Sequence, residues 1–335
     1  MTYDAILYVS FGGPEGMEDV MPYLENVLRG RRVPEVRKQE VARHYEAVGG
    51  ISPINRQNRQ VIDALGPLLE ERGLSLPIYF GNRNWNPLLP ATMRQMASDG
   101  VRRALAFVTS AYSSYSGCRQ YRENISSARE EAGDAAPRVD KIRVFYNHPL
   151  FIEANAERLL DALGEVPESM RDDAVILFTA HSLPAEMAAV SNYEAQLRET
   201  CRLVAGHRRA GSWKLVFQSR SGPPSQPWLE PDVCGEIARL AGDGTRQIVL
   251  APVGFLSDHM EVLHDLDVEA ADTAKSHGVS LVRSQTVGCH PAYLRMIAAM
   301  IEERVRPGGD RPALGERGAG PHTCPAGCCP KGRQQ

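Results

Sequence analysis

The 335-residue chain carries 38 Lys and Arg against 41 Asp and Glu, a net charge of -3, with 43% hydrophobic and 24% charged residues. That length suits two ordinary domains, the balance of charge gives no basic footprint for nucleic acid, and no apolar run reaches membrane-spanning length. The opening MTYDAILYVS has no basic region ahead of its apolar stretch and runs straight into a strand-like pattern, so a soluble cytoplasmic protein is expected.

Apolar and β-branched runs suited to buried parallel strands occur at 5–9, 76–80, 104–109 and 142–145, then at 175–179, 214–218, 247–251 and 279–282. Helical periodicity separates them, as at 61–71, 88–96, 152–163 and 193–205. The expected fold is α/β: two Rossmann-like, doubly wound halves, each on a four-stranded parallel sheet, with an active-site cleft between them. The expected domains are 1–150 and 151–306, followed by a cysteine-bearing tail over 307–335. Asn147-His148-Pro149 and Cys289-His290-Pro291 follow the last strand run of each half and open helical patterns. A proline at a helix start explains the prolines and leaves the paired histidines to chance.

The chemistry-bearing residues collect after the strands. Ser10-Phe11-Gly12-Gly13-Pro14 follows the first, without a GxGxxG or GxxxxGK[ST] pattern that would favour a nucleotide. Arg29, Arg31 and Arg32 and the stretch Tyr45 to Pro53 come next, the arginines suited either to clamping carboxylates or to a solvated helix end. The loop Ser110 to Cys118 mixes aromatic rings with hydroxyls, which suits a flat ligand with a polar rim. The buried run 175–179 ends in Ala180-His181-Ser182-Leu183-Pro184, at the strand end where open α/β sheets bind ligands. His181 reads there as an imidazole aimed into a site, against the alternative of a core histidine bonded to a backbone carbonyl. In 251–269, Glu261, Asp265 and Glu269 fall at i, i+4 and i+8 of an expected helix. Stacked like charges cost an isolated helix a few tenths of a kcal/mol per pair, so the ladder is either a cation route or a solvated acidic face.

Seven cysteines are present, three of them in Cys324-Pro325-Ala326-Gly327-Cys328-Cys329. Thiols so close in a tail too short to fold alone point to a metal ion or cluster, and either zinc or [2Fe–2S] needs a fourth ligand. Cys201 and Cys234 sit in helical patterns that explain them as small, partly buried residues, Cys289 stays open, and Cys118 lies in a loop whose pattern requires no buried thiol.

Together the GGP loop, YEAVGGISPI, SAYSSYSGCRQY, AHSLP, FQSRSGPPSQPWLEPDV, PVGFLSDHMEVLHDLD and the cysteine tail resemble the ferrochelatases, specifically the bacterial group with an iron–sulfur cluster. The resemblance implies the chelatase fold and insertion of Fe2+ into a porphyrin, with His181 and Glu261 as the catalytic pair that also binds the iron substrate. It continues the metal path through Asp265 and Glu269, and implies porphyrin contacts at Phe11, Arg29, Arg31, Tyr45, Ser52, Tyr112, Tyr115 and Tyr121. It also implies a [2Fe–2S] cluster on Cys118, Cys324, Cys328 and Cys329, which would fold the tail back on the first domain. The expected product is coprohaem from coproporphyrin III, with protoporphyrin IX as the alternative substrate and transient contacts with neighbouring haem-pathway enzymes. Two departures stand out. Phe11 occupies a position where relatives lacking the cluster often have a ligating tyrosine, and His44 stands where some relatives have arginine. Competing readings are a cobalt chelatase, which usually has histidine at the place of Glu261, a haem-binding or haem-sensing protein without turnover, and an iron–sulfur electron carrier.

Overall fold

The computed structural model describes residues 2–30, 33–207, 211–223, 225–306 and 308–332. Its eight strands are β1 Ala5–Ser10, β2 Ile78–Asn82, β3 Arg103–Val108, β4 Arg138–Lys141, β5 Val175–His181, β6 Trp213–Gln218, β7 Gln247–Ala251 and β8 Ser280–Arg283. They form two four-stranded sheets, ordered β2-β1-β3-β4 and β6-β5-β7-β8, with every strand pair parallel. Both sheets reverse direction of winding at their first strand, and in such sheets ligands bind beyond the carboxyl ends of the strands at that switch point. β1 and β5 are therefore the strands whose ends matter most. β1 is buried along its whole length and β5 along all but its last residue, His181, as expected for strands covered by helices on both faces.

One strand differs from expectation. The fourth strand is Arg138–Lys141, and the apolar segment 142–145 runs beyond it as buried, irregular chain. β4 is an edge strand with one neighbour, and its exposed or half-buried residues Arg-Val-Asp-Lys carry little apolar signal. Ile142 still donates to Ala106, but Phe145 donates to Ala111, so the apolar run leaves the sheet.

The chain divides into two compact units that interleave in sequence. The first comprises Met1–Thr109, Tyr121–Ile142 and Ile297–Gly309, and the second Ser110–Gln120, Arg143–Met296 and Asp310–Gln335. This differs from the expected division at 150 and 306: the loop carrying Cys118 and the tail both belong to the second unit. Within that unit, Arg143 donates to Pro312, Leu314 donates to Asn147, and the Asn147 amide donates to the carbonyls of Leu314 and Gly318. The start of the tail is thus bound by hydrogen bonds that involve no cysteine. No helix among the described residues is long and apolar enough to cross a membrane.

Candidate active site

His181 ends β5 with its side chain 31% exposed. Its Nδ1 lies 2.5 Å from the Ser182 carbonyl oxygen, which can only accept, so Nδ1 carries the proton and Nε2 faces away from that bond. The Tyr193 hydroxyl donates to the His181 carbonyl at 3.0 Å, and Ser182 N donates to Gln218 O at 2.8 Å. Backbone on both sides of the imidazole is therefore held. Gly254 contributes to the same packing: a Cβ there would lie 2.6 Å from the Ala180 Cα.

Glu261 presents Oε1 3.5 Å from His181 Nε2. It belongs to the short helix Met260–His264, capped by His259, whose Nδ1 accepts from Glu261 N. Burial lowers the proton affinity of His181, but the Glu261 charge and hydrogen bond, with the Ser182 carbonyl, outweigh it and hold the imidazole up at about 9. Burial pushes Glu261 the other way from its partner; the His181 charge and hydrogen bond and then His259 prevail and hold it down at about 2. The pair is imidazolium and carboxylate at neutral pH.

Beyond His264 the chain winds as a π-helix over Asp265–Ala270 before returning to α-helix at Ala271–Ser276. The expected uninterrupted α-helical ladder is thus corrected. A π-turn bonds i to i+5, which brings His264 over Glu269. His264 Nδ1 lies 3.6 Å from Asp265 Oδ1 and 3.8 Å from Glu269 Oε1, and these three side chains are a set able to hold a metal ion. Asp265 also accepts from the Ser219 hydroxyl, whose backbone is held at φ 61, and from Gln218 Nε2 at 3.5 Å. Burial, then the charges of Glu261 and Glu269, raise Asp265 to about 6 against the opposing Ser219 bond and His264.

The expected porphyrin contacts fall in both units. In the first, Arg83 places its guanidinium 5.4 Å from the Phe11 ring centroid and 4.5 Å from that of Tyr121. Tyr45 is buried edge-on against Tyr23, Ser52 is buried with its N–H on the Pro14 carbonyl, and Arg29 is exposed with Asn26 as partner. Arg31 lies outside the described residues. In the second unit, Tyr112 is buried, donates to Val253 O at 2.8 Å and packs edge-on against Tyr193, while Tyr115 is half-buried at the start of the π-turn Tyr115–Arg119. The sequence reading assigned no role to Arg83, Tyr193, Ser219, His259 or His264. Ser219, His259 and His264 stood inside quoted motifs, but nothing in their spacing announced what they touch.

Cys118 is buried in that π-turn, where Ser114 Oγ accepts from Gly117 N. Cys324, Cys328 and Cys329 are half-buried. The Cys329 thiol is pushed up to about 12, by burial first and then by the adjacent thiols of Cys118, Cys328 and Cys324. Three thiols that oppose the ionisation of Cys329 are a costly arrangement on their own and one that a bound cation would relieve, which is the donor chemistry a metal cluster uses.

The sequence model of the ferrochelatase family matches residues 3–305. A Rhodopirellula baltica protein named ferrochelatase is 54% identical over 328 residues, covering 98% of this chain and 93% of the relative. A Streptomyces coelicolor protein named coproporphyrin III ferrochelatase is 47% identical over 352 residues, with the same shares covered. Among solved structures, SirB from Bacillus subtilis with Fe3+ aligns at TM-score 0.55 over 91% of this chain and 96% of its own, at 14% identity, a likeness of fold. By the family match over nearly its whole length and by these relatives, the chain belongs to the ferrochelatase family, enzymes that insert iron into a porphyrin.

Proposed function

We propose that the protein inserts Fe2+ into coproporphyrin III to give coprohaem, with His181 and Glu261 at the reacting centre. The observation that carries the reading is the 3.5 Å pair itself, an ionisable base on a rigid strand end facing a carboxylate. The name of the Streptomyces coelicolor relative supports the choice of porphyrin. Metallation replaces two pyrrole N–H protons by one Fe2+, and iron keeps its oxidation state. In the resting pair His181 is protonated, so it must first lose that proton, which an approaching dication favours. Neutral Nε2 then accepts the two pyrrole protons in turn, passing the first to Asp265 before taking the second, while Glu261, held ionised, contacts the ion. Asp265, poised near 6, takes protons on and releases them, and with His264 and Glu269 forms the outward route for ions and protons.

Porphyrin contacts are assigned to Phe11, Arg29, Arg31, Tyr45, Ser52 and Tyr121 in the first unit and to Tyr112 and Tyr115 in the second. Cys118, Cys324, Cys328 and Cys329 would hold a [2Fe–2S] cluster, which when bound supplies a one-electron centre and a cross-link of the tail. The reaction is placed in the cytoplasm, with transient contacts to neighbouring haem-pathway enzymes. The test is anaerobic turnover with Fe2+ and each porphyrin. Faster coprohaem formation supports the reading, faster protohaem formation moves the substrate to protoporphyrin IX, and porphyrin or haem binding without turnover overturns the enzyme.

A further inference from the structure

The segment 258–269 holds five acidic side chains, and three of them, Glu261, Asp265 and Glu269, lie within ion-pair distance of His181 or His264. The other two, Asp258 and Asp267, are bound by Arg283 at the end of β8. Its Nη1 donates to Asp258 Oδ1 at 3.1 Å and to Ser284 O at 3.2 Å, its Nη2 to Asp267 Oδ2 at 2.9 Å, and its Nε to the other Asp267 oxygen. The Arg283 side chain is only 16% exposed and Asp258 20%, so this is a packed, two-pronged ion contact of the kind that fixes geometry. Asp258 stands just ahead of the helix that carries Glu261, and Asp267 is the third residue of the π-helix. Winding of that kind is uncommon and persists where outside contacts hold it. Such holds come from Ser219 and Gln218 on Asp265 and from Arg283 on Asp267.

We propose that Arg283 is a positioning residue of the metal-handling segment: by binding Asp258 and Asp267 together it keeps 265–270 in π-winding, which sets His264 against Asp265 and Glu269 and withholds two carboxylates from the ion route. The inference rests on the proposed metal path. If the contact positions, losing it weakens metal capture although negative charge is gained. If it only balances charge, the freed carboxylates strengthen capture.

The experiment measures KM for Fe2+ and kcat in the full-length protein, and separately the affinity for Mn2+ alone, followed by EPR because Mn2+ prefers oxygen and nitrogen donors to thiolates. Arg283→Met should raise KM for Fe2+ about tenfold and weaken Mn2+ binding similarly, with kcat at saturating metal falling less than about threefold. Arg283→Lys, able to satisfy one carboxylate at a time, should fall between. The double variant Arg283→Met with Asp267→Asn removes the charges of Arg283 and Asp267, leaves that of Asp258, and should stay impaired. Unchanged or lowered KM in Arg283→Met, or recovery of wild-type KM in the double variant, overturns the inference. Should Arg283→Met fail to fold, Asp267→Asn alone, with the Asp258 contact kept, must raise KM in the same direction, and an unchanged KM overturns it. A wild-type protein without turnover sinks the proposed function, whereas the Mn2+ comparison still decides the role of Arg283.

Discussion

At His181 two contacts pull in one direction. The Ser182 carbonyl fixes the proton on Nδ1, and Glu261 favours a second proton on Nε2, so the base is stored in its protonated form. A proton and a metal ion compete for the same lone pair, and the competition has a sign: with the folded-state value at about 9, metal capture should strengthen as pH rises from 7 toward 9. The contribution of His181 to folding runs the opposite way, present below its ordinary value near 6.5 and lost as pH rises through about 9, while that of Glu261 is lost only as pH falls toward about 2. Glu261→Gln removes the dominant raising charge and leaves burial in control, so the rising, acid-side limb of kcat/KM for Fe2+ should move to lower pH while turnover falls strongly. A pH profile of the variant checks this, and a limb that stays in place would mean His181 is not the titrating group. His181→Ala should abolish insertion with porphyrin binding nearly intact and the protein still folded, because a side chain at a strand end contributes little to the core.

At the scale of elements, the two acids of the outer route differ in environment. Asp265 is bound by Ser219 and sits among like charges, whereas Glu269 is exposed with His264 as partner. Asp265→Asn should therefore raise KM for Fe2+ more than Glu269→Gln, and equal, negligible effects would return the segment to a solvated acidic face. The sequence announced this ladder by spacing but not its winding, because a π-turn is fixed by tertiary contacts from Ser219 and Arg283 that lie 46 and 16 residues away. Strand positions and the ends of β1 and β5 were legible because buried parallel strands leave nearly continuous apolar runs. The edge strand β4 was not, since half-exposed residues leave no such record. The paired His-Pro motifs turned out to share a physical cause: Leu150 N donates to His148 Nδ1 at 3.2 Å and Ala292 N to His290 Nδ1 at 3.3 Å, one helix-start contact used twice. His148 is 2% exposed, and burial followed by the Arg143 charge lowers it to about 4. Its neutral form is what the fold requires, so stability is full above about pH 6.5 and declines toward pH 4, by about 3 kcal/mol at most. His148→Asn keeps a capping acceptor and should flatten that acid limb in urea melts, while His148→Ala should also cost about 1 kcal/mol at neutral pH.

Across the whole molecule, the tail raises the question of what a cluster adds to contacts already present. Arg143 and Asn147 hold the chain at 312, 314 and 318 without any sulfur, so five residues separate the last of these anchors from Cys324. A cross-link made so close to an existing anchor closes a short loop, which puts its stabilisation at the low end, about 2 kcal/mol. The cluster-free protein should then remain folded with the start of its tail in place, and lose order chiefly beyond Gly318. Cys118 is the internal candidate whose thiol acts on Cys329, whereas Cys289 is exposed and its thiol is raised by burial with Arg158 as the opposing neighbour. Cys118→Ser should accordingly abolish the visible absorption of the anaerobically purified protein, and Cys289→Ser should leave it unchanged. Hydrogen exchange should rise in Cys118→Ser around 319–332 and stay near wild type at Asn147 and Leu314. Retention of the chromophore in Cys118→Ser with its loss in Cys289→Ser would move the fourth ligand. Loss of protection at Leu314 as well would show that the sulfur contacts, and not Arg143 and Asn147, hold the tail.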